Sequence, residues 1–284
     1  MSQVKFTKMH GLGNDYIYFN CLADPHLIPD PDAVAPRLSD RHFGIGGDGI
    51  VLIQPSTTAD YRMRMFNADG SESEMCGNAI RCVARYLCDR GYLAGDQVAI
   101  ETGAGIKRIV VSRNAAGKFL AARVDMGEPI LNGPDIPVAI DRNPVVGAEI
   151  DLKSGRKYAM TCVSMGNPHA VIFVDRITDE QVLQDGRELE QHPLFPRKTN
   201  VEFARILSRR DVEMRVWERG TGETLACGTG ASATGVAAIL NGLTERKMTL
   251  HLSGGELEIE WSAADNHVFM TGPATFVCDG VVEI

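Results

Sequence analysis

Tyr61-Arg-Met-Arg-Met-Phe-Asn67 and Val212-Glu-Met-Arg-Val-Trp-Glu218 lie 151 residues apart and read as one strand written twice. In that register Met63 falls over Met214, Arg64 over Arg215, Glu72 over Glu223, Ser73 over Thr224, and Cys76-Gly77 over Cys227-Gly228. The match continues to Gly91 over Gly242, and Gly13-Asn14 recurs as Gly166-Asn167 at an offset of 153. Strand-turn-helix units resemble one another by chance, but chance does not hold one offset over more than thirty positions. The chain therefore reads as two similar halves.

Each copy runs from an alternating strand through a polar, Gly-containing loop to Cys-Gly and then to helical periodicity. Ile80, Val83, Ala84 and Leu87 form one apolar face in the first copy, and both helices are expected to begin at the cysteine. Gly91 and Asn241-Gly242 stand where left-handed caps would end them. Elsewhere Ile50–Ile53, Val98–Glu101, Arg108–Val111, Val171–Val174 and Leu257–Trp261 are short, β-branched and bounded by turn residues, as strands are. Further helical stretches are predicted near Asp32–His42 and Asp179–Glu190. Strands and helices do not alternate regularly, which favours an α+β class of two similar pseudo-symmetric domains with a boundary near Asp125.

Composition narrows the function. The chain has 284 residues, 44% of them hydrophobic, enough for a sizeable core. No run approaches the roughly 20 apolar residues that span a bilayer, and the start MSQVKFTKMH lacks a signal peptide's apolar stretch. A cytoplasmic location and no membrane partner are expected. A net charge of -8 without a block of Lys and Arg argues against nucleic acid. The seven cysteines are odd in number and contain no C-x-x-C pair, so neither a disulfide framework nor a metal site is expected.

Two cysteines stand apart from the rest. Cys76 and Cys227 are each followed by Gly and then Asn78 or Thr229, follow a polar loop, and match through the repeat. A thiol at a helix start faces unpaired backbone N–H groups and the macrodipole, which lower its pKa from about 8.5 and make it a usable base. The same N–H groups offer a carboxylate a seat, since Gly77 and Gly228 carry no Cβ to obstruct it. Inverting an amino-acid α-carbon requires one group to remove a proton and another to deliver one from the opposite face. Cys21, Cys82, Cys88, Cys162 and Cys278 read instead as inert packing.

The segments around these cysteines resemble diaminopimelate epimerases: His10-Gly-Leu-Gly-Asn-Asp15, Phe66-Asn-Ala-Asp-Gly-Ser-Glu72, Cys76-Gly-Asn78, Ser164-Met-Gly-Asn-Pro-His169, Glu218-Arg-Gly-Thr-Gly-Glu-Thr224 and Ala226-Cys-Gly-Thr-Gly230. The likeness runs from Met9 to Thr271-Gly-Pro-Ala274, nearly the whole chain. It implies two α+β domains, residues 1–125 with the C-terminal strand 272–284, and residues 126–271, each a curved mixed or antiparallel sheet wrapped around a central helix, with the active site in the cleft between them. It further implies no cofactor, a homodimer, and interconversion of LL- and meso-2,6-diaminopimelate, a step toward lysine and peptidoglycan precursors.

Carried over by position, the resemblance makes Cys76 and Cys227 the acid/base thiols, with His169 and Glu218 beside them biasing their protonation. Asn14, Asn67, Asn167, Asn200 and Arg219 match positions that grip the distal amino-carboxylate, for which amides and a guanidinium are suited. Backbone groups of Gly77, Asn78, Gly228 and Thr229 would bind the carboxylate of the reacting centre. The chain departs from some relatives in having Ala79-Ile80 in place of a Gly-Ala pair, and Gly49 where some have Gln. Gly44-Ile-Gly-Gly-Asp-Gly49 fits a dinucleotide fingerprint, but the expected strand follows the glycines instead of preceding them, so it reads as a turn. Proline-type racemases, phenazine-type isomerases and a catalytically silent binding module are the rival readings; the paired cysteines and the Asn and Arg set count against them.

Overall fold

The computed structural model describes residues 3–284; residues 1 and 2, which open the MSQVKFTKMH segment and the N-terminal half, lie outside the described residues. The fold consists of two similar α+β units, one formed by the chain through Val124 with Gly272–Ile284, the other by Asp125–Thr271. The first holds β1 (Gln3–Gly11), β2 (Asn14–Asn20), α1 (Pro31–Ser39), β3 (Gly49–Gln54), β4 (Tyr61–Asn67), β5 (Glu72–Ser73), α2 (Gly77–Asp89), β6 (Gln97–Thr102), β7 (Gly105–Arg113) and most of β8 (Phe119–Gly127). The second holds β9 (Ala148–Asp151), β10 (Lys157–Ser164), β11 (Pro168–Phe173), α3 (Gly186–Glu190), β12 (Asn200–Ile206), β13 (Asp211–Glu218), β14 (Gly222–Thr224), α4 (Gly228–Leu240), β15 (Lys247–Leu252), β16 (Gly255–Trp261) and all but the last residue of β17 (Val268–Gly272). The final strand, β18 (Thr275–Glu283), pairs with β1 in the first unit.

The strand pairings within the two units follow one plan. In the first unit β1–β2 is antiparallel, β2–β3 parallel, β3–β4 antiparallel, β4–β6 parallel, and β6–β7–β8 antiparallel. In the second, β10–β11, β11–β12, β12–β13, β13–β15 and β15–β16–β17 repeat that order of directions. The repeated Arg and Glu explain themselves here. Arg64 forks onto Glu72 at 2.7 and 2.9 Å, and Arg215 onto Glu223 at 2.7 and 3.1 Å, so each pair tethers the short strand that leads into the cysteine.

The long helices are buried on nearly every side, not along one stripe. In α2 only Arg85 and Asp89 escape burial, and Ile80, Arg81, Cys82, Val83, Ala84 and Leu87 are all 0% exposed. Alpha helix α2 packs on β1, β2 and β7, while α1 packs on β3 and β4. On the α1 side Val34, Ala35 and Leu38 meet Ile17, Phe19, Ile50, Leu52 and Phe66. Covered on both faces, β3 is buried at every residue, which is why Ile50-Val-Leu-Ile53 is apolar without alternation. In the second unit α4 packs on β10, β11, β12, β15 and β16, and the small residues of Gly-Thr-Gly-Ala-Ser-Ala-Thr-Gly allow that close approach.

Some boundaries differ from expectation. Alpha helix α1 stops at Ser39 because the Asp40 carboxylate accepts the N–H groups of His42 and Phe43, both at 2.7 Å, and turns the chain away. The stretch before α3 is wound as a π-helix over Glu180–Asp185.

Close packing of α4 yields a test. A Cβ at Gly235 would stand 2.7 Å from Ile259 Cγ2. Alanine is favoured over glycine inside a helix by about 1 kcal/mol, whereas overpacking a stiff buried side chain costs about 1–3 kcal/mol. Gly235→Ala is therefore expected to lower the chemical-denaturation midpoint, and Gly95→Ala, where a Cβ meets nothing within 4 Å, serves as control. A midpoint at or above wild type would show that Ile259 yields freely.

Candidate active site

Both repeated cysteines are helix N-caps. Cys76 has φ -135° and ψ 122° and its sulfur accepts the Ala79 N–H at 3.5 Å; Cys227 has φ -123° and ψ 113° and accepts the Gly230 N–H at 3.4 Å. Sulfur thus takes the place of the usual Ser or Asp oxygen at Ncap, binding the N–H three residues on. In each unit this leaves the thiol at the mouth of a helix whose body is buried.

In the first unit the Cys76 thiol donates to Asn14 Oδ1 at 3.4 Å, and Asn78 Nδ2 donates to the same oxygen at 3.3 Å. Asn14 Nδ2 donates to Asp48 Oδ2 at 2.7 Å, and Arg41 clamps Asp48 and Asp15 together at 2.9 and 2.7 Å. Asp48 belongs to the Gly44–Gly49 run, so that turn orients Asn14. Gly49 sits at φ +156°, where a Cβ would fall 2.0 Å from the Phe66 carbonyl oxygen, and so the backbone itself occupies the space a longer residue would need. Asn67 donates to Ser71 Oγ at 3.0 Å and shapes the loop ahead of β5.

Behind this set lies Arg81, 0% exposed, donating to Gly77 O at 3.0 Å, Asn78 Oδ1 at 3.0 Å and Pro273 O at 3.1 Å. Burial pulls the guanidinium below its ordinary value. A cation thus stands behind the first helix start. Neither Arg81 nor Asp48 was singled out from sequence: Arg81 falls within a run of apolar helix positions, and Asp48 within a turn set aside as a false fingerprint.

The second unit has the opposite character. Cys227 is 6% exposed, contacts Thr229 Oγ1 at 3.5 Å, and interacts electrostatically with Glu218. Glu218 accepts a short hydrogen bond from Thr224 Oγ1. Burial raises both the Cys227 thiol, which the charges of Glu218 and Glu202 push higher still, and the Glu218 carboxyl. Here burial and two carboxylates outweigh the thiolate-favouring helix start, and Cys227 rests as a thiol. His169, 0% exposed, faces Glu202 Oε1 at 2.6 Å and Asn167 Oδ1 at 3.0 Å, and Asn167 Nδ2 donates to Thr229 Oγ1 at 3.3 Å. Asn200 donates to Pro168 O at 2.8 Å and accepts the Arg219 N–H at 2.9 Å, fixing the turn that carries the exposed Arg219. Glu202, an acid within the apolar Val201-Glu-Phe-Ala204, escaped the sequence reading.

Among the other cysteines, Cys21 and Cys162 are pushed by burial up to about 12 and Cys82 to about 11, consistent with packing. Cys278 is different: it is exposed on β18, because that strand's outer positions face water. Thiol reagents therefore meet Cys278 before the candidate pair, and labelling needs a Cys278→Ser background. No cluster of three or more His, Cys, Asp or Glu among the described residues is placed to hold a metal.

The buried thiols set a pH dependence. Their folded pKa values lie above the unfolded thiol's, about 8.5, so the unfolded chain releases these protons first and stability falls as pH rises through and beyond that value. The denaturation midpoint is expected to drop between pH 8 and pH 10, with a shallower slope in Cys162→Ala than in wild type; identical slopes would refute the assignment.

A family model described as diaminopimelate epimerase matches residues 6–131 and 161–277. Proteins named diaminopimelate epimerase are similar over almost the full length. That of Acetivibrio thermocellus is 52% identical over 281 residues, 99% of both chains; that of Desulfovibrio desulfuricans is 53% identical, covering 98% of this chain and 97% of its own. One from Methanococcus maripaludis is 51% identical over 99% of this chain and 100% of its own. Solved structures share the fold at low identity. A phenazine biosynthesis protein of the PhzF family from Bacillus anthracis has a TM-score of 0.70 at 18% identity, over 100% of both chains. A hydroxyproline epimerase from Agrobacterium vitis has a TM-score of 0.71 at 16%, over 99% of this chain and 91% of its own. Taken with the two cysteine-capped helices and their matching sheets, these likenesses show that the chain belongs to the diaminopimelate epimerase family.

Proposed function

We propose that this protein interconverts LL- and meso-2,6-diaminopimelate by exchanging the proton at one α-carbon, with Cys76 and Cys227 as the two acid/base groups. The observation that carries the reading is the pair of N-capping cysteines in duplicated surroundings of opposite charge: a buried Arg81 behind one, Glu218 and Glu202 beside the other. A thiolate removes the α-proton and becomes a thiol; the opposite thiol delivers its proton to the other face and becomes the thiolate. In the reverse reaction the roles exchange. Cys227, held as a thiol, is the donor in one direction, and Glu218 biases it toward that state.

The carbanion that forms between these steps needs its carboxylate held by fixed dipoles. Backbone N–H groups of Gly77, Asn78, Gly228 and Thr229 are the proposed holders. Asn14, Asn67, Asn167, Asn200 and Arg219 are assigned to the distal amino-carboxylate, with Asn200 also fixing the Arg219 backbone. The reading includes no pyridoxal or metal cofactor, a homodimer, and a cytoplasmic protein; no helix among the described residues is long and apolar enough to cross a membrane.

The test is incubation of chelator-treated protein with pure LL-diaminopimelate in deuterated water without pyridoxal phosphate, followed by mass spectrometry. Conversion to meso product carrying solvent deuterium is expected, with Cys76→Ala and Cys227→Ala each slower by at least 10²–10⁴-fold, on the order of one lost acid/base group. No conversion and no deuterium uptake would remove diaminopimelate as substrate, and turnover of proline instead would move the chain to the proline-type reading.

A further inference from the structure

Four hydrogen bonds run without a break from a carboxylate deep in the second unit to the candidate thiol. Glu202 Oε1 lies 2.6 Å from His169 Nδ1, His169 Nε2 lies 3.0 Å from Asn167 Oδ1, Asn167 Nδ2 lies 3.3 Å from Thr229 Oγ1, and Thr229 Oγ1 lies 3.5 Å from Cys227 Sγ. Glu202 and His169 are each 0% exposed, and Glu202 Oε2 has no hydrogen-bond partner. An ion this far from water is costly unless a partner compensates it.

The surroundings of Glu202 restrict what that partner is. Hydrogen-bonded to it is His169 from β11, and its charge also acts on Cys162 from β10, Glu218 from β13 and Cys227 at the head of α4. Of these four only His169 can carry positive charge. A Cβ at Gly230 would stand 2.7 Å from Glu202 Oε1, so glycine there lets the first turn of α4, with its N–H dipoles, come close to the carboxylate. The direction of the chain is also set. Because Asn167 gives its N–H to Thr229, its oxygen faces the ring, and both ring nitrogens then face oxygens. That arrangement is complete when both nitrogens carry hydrogens.

We propose that Glu202 is a positioning residue whose charge holds His169 doubly protonated, and that the fixed ring, through Asn167, turns the Thr229 hydroxyl proton toward Cys227 Sγ. Thr229 accepts from Asn167, so its own hydrogen is left to point at the sulfur. The consequence is that His169 moves no proton, and that the thiolate formed when Cys227 gives up its proton finds a donor already aimed at it. This offsets the carboxylates that otherwise favour the thiol, and lets one sulfur serve in both directions. The role of Cys227 rests on the proposed epimerase reading; the state of the ring does not.

The test uses the whole protein labelled with ¹⁵N-histidine, without substrate. Wild type is expected to show both His169 nitrogens protonated at pH 7–8, assigned by loss of the signals in His169→Gln. Glu202→Gln keeps a hydrogen-bonding side chain of the same shape, and in it the ring is expected to become neutral. A neutral wild-type ring, or a ring still doubly protonated in Glu202→Gln, overturns the proposal. The wild-type spectrum decides even if that variant fails to fold. Thr229→Val is expected to leave the His169 signals unchanged and to slow kcat roughly ten- to a hundredfold, the effect of one hydrogen bond to a charged group; unchanged kcat in both directions overturns the link to Cys227. If wild type turns over no diaminopimelate while the ring behaves as expected, the substrate reading fails and the Glu202–His169 pair stands.

Discussion

The structure depends on a cysteine sulfur capping a buried helix. At Cys76 and again at Cys227 the chain is extended up to the cysteine and helical after it, and the sulfur satisfies an N–H that would otherwise be orphaned inside the protein. The capping group is also the reactive group of the proposed mechanism, and its place at the helix mouth follows from the same geometry that folds each unit.

Duplication explains the likeness of the two units, and departures from it explain their different chemistry. Arg64–Glu72 and Arg215–Glu223 perform one structural task in both copies. Behind the cap the copies diverge. Position 81 is a buried arginine tied to Gly77 and Asn78, whereas its counterpart in the repeat, Ser232, donates to Gly228 O at 2.9 Å. Position 202 is a buried glutamate paired with His169. One backbone plan therefore carries a cation behind one thiol and carboxylates around the other, the difference that a reaction with an acid on one side and a base on the other requires.

The repeat, the α+β class, the cysteine-capped helices and most strands were legible in the sequence because each is signalled by local spacing. Tyr61–Asn67 and Val212–Glu218 alternate, and Gly91 and Gly242 end their helices at φ +79° and +69°. What escaped depends on neighbours remote in sequence. Arg81 stands among apolar helix positions with nothing local to mark its role until Pro273 and Asn78 close over it. Cys278 looks like the other packing cysteines until β18 is seen to turn it outward. Asp48 reads as a turn residue until Asn14 is found 2.7 Å away.

By itself, then, the sequence determined where strands and helices begin, that the pattern occurs twice, and which two thiols open a helix, because hydrophobic period and capping are properties of adjacent residues. Tertiary structure decided the electrostatics. Whether a thiol rests protonated, and which carboxylate confronts which histidine, turns on burial and on charges brought together from β10, β11, β12, β13 and α4, and the energy of a buried charge is set by partners that no stretch of chain contains alone.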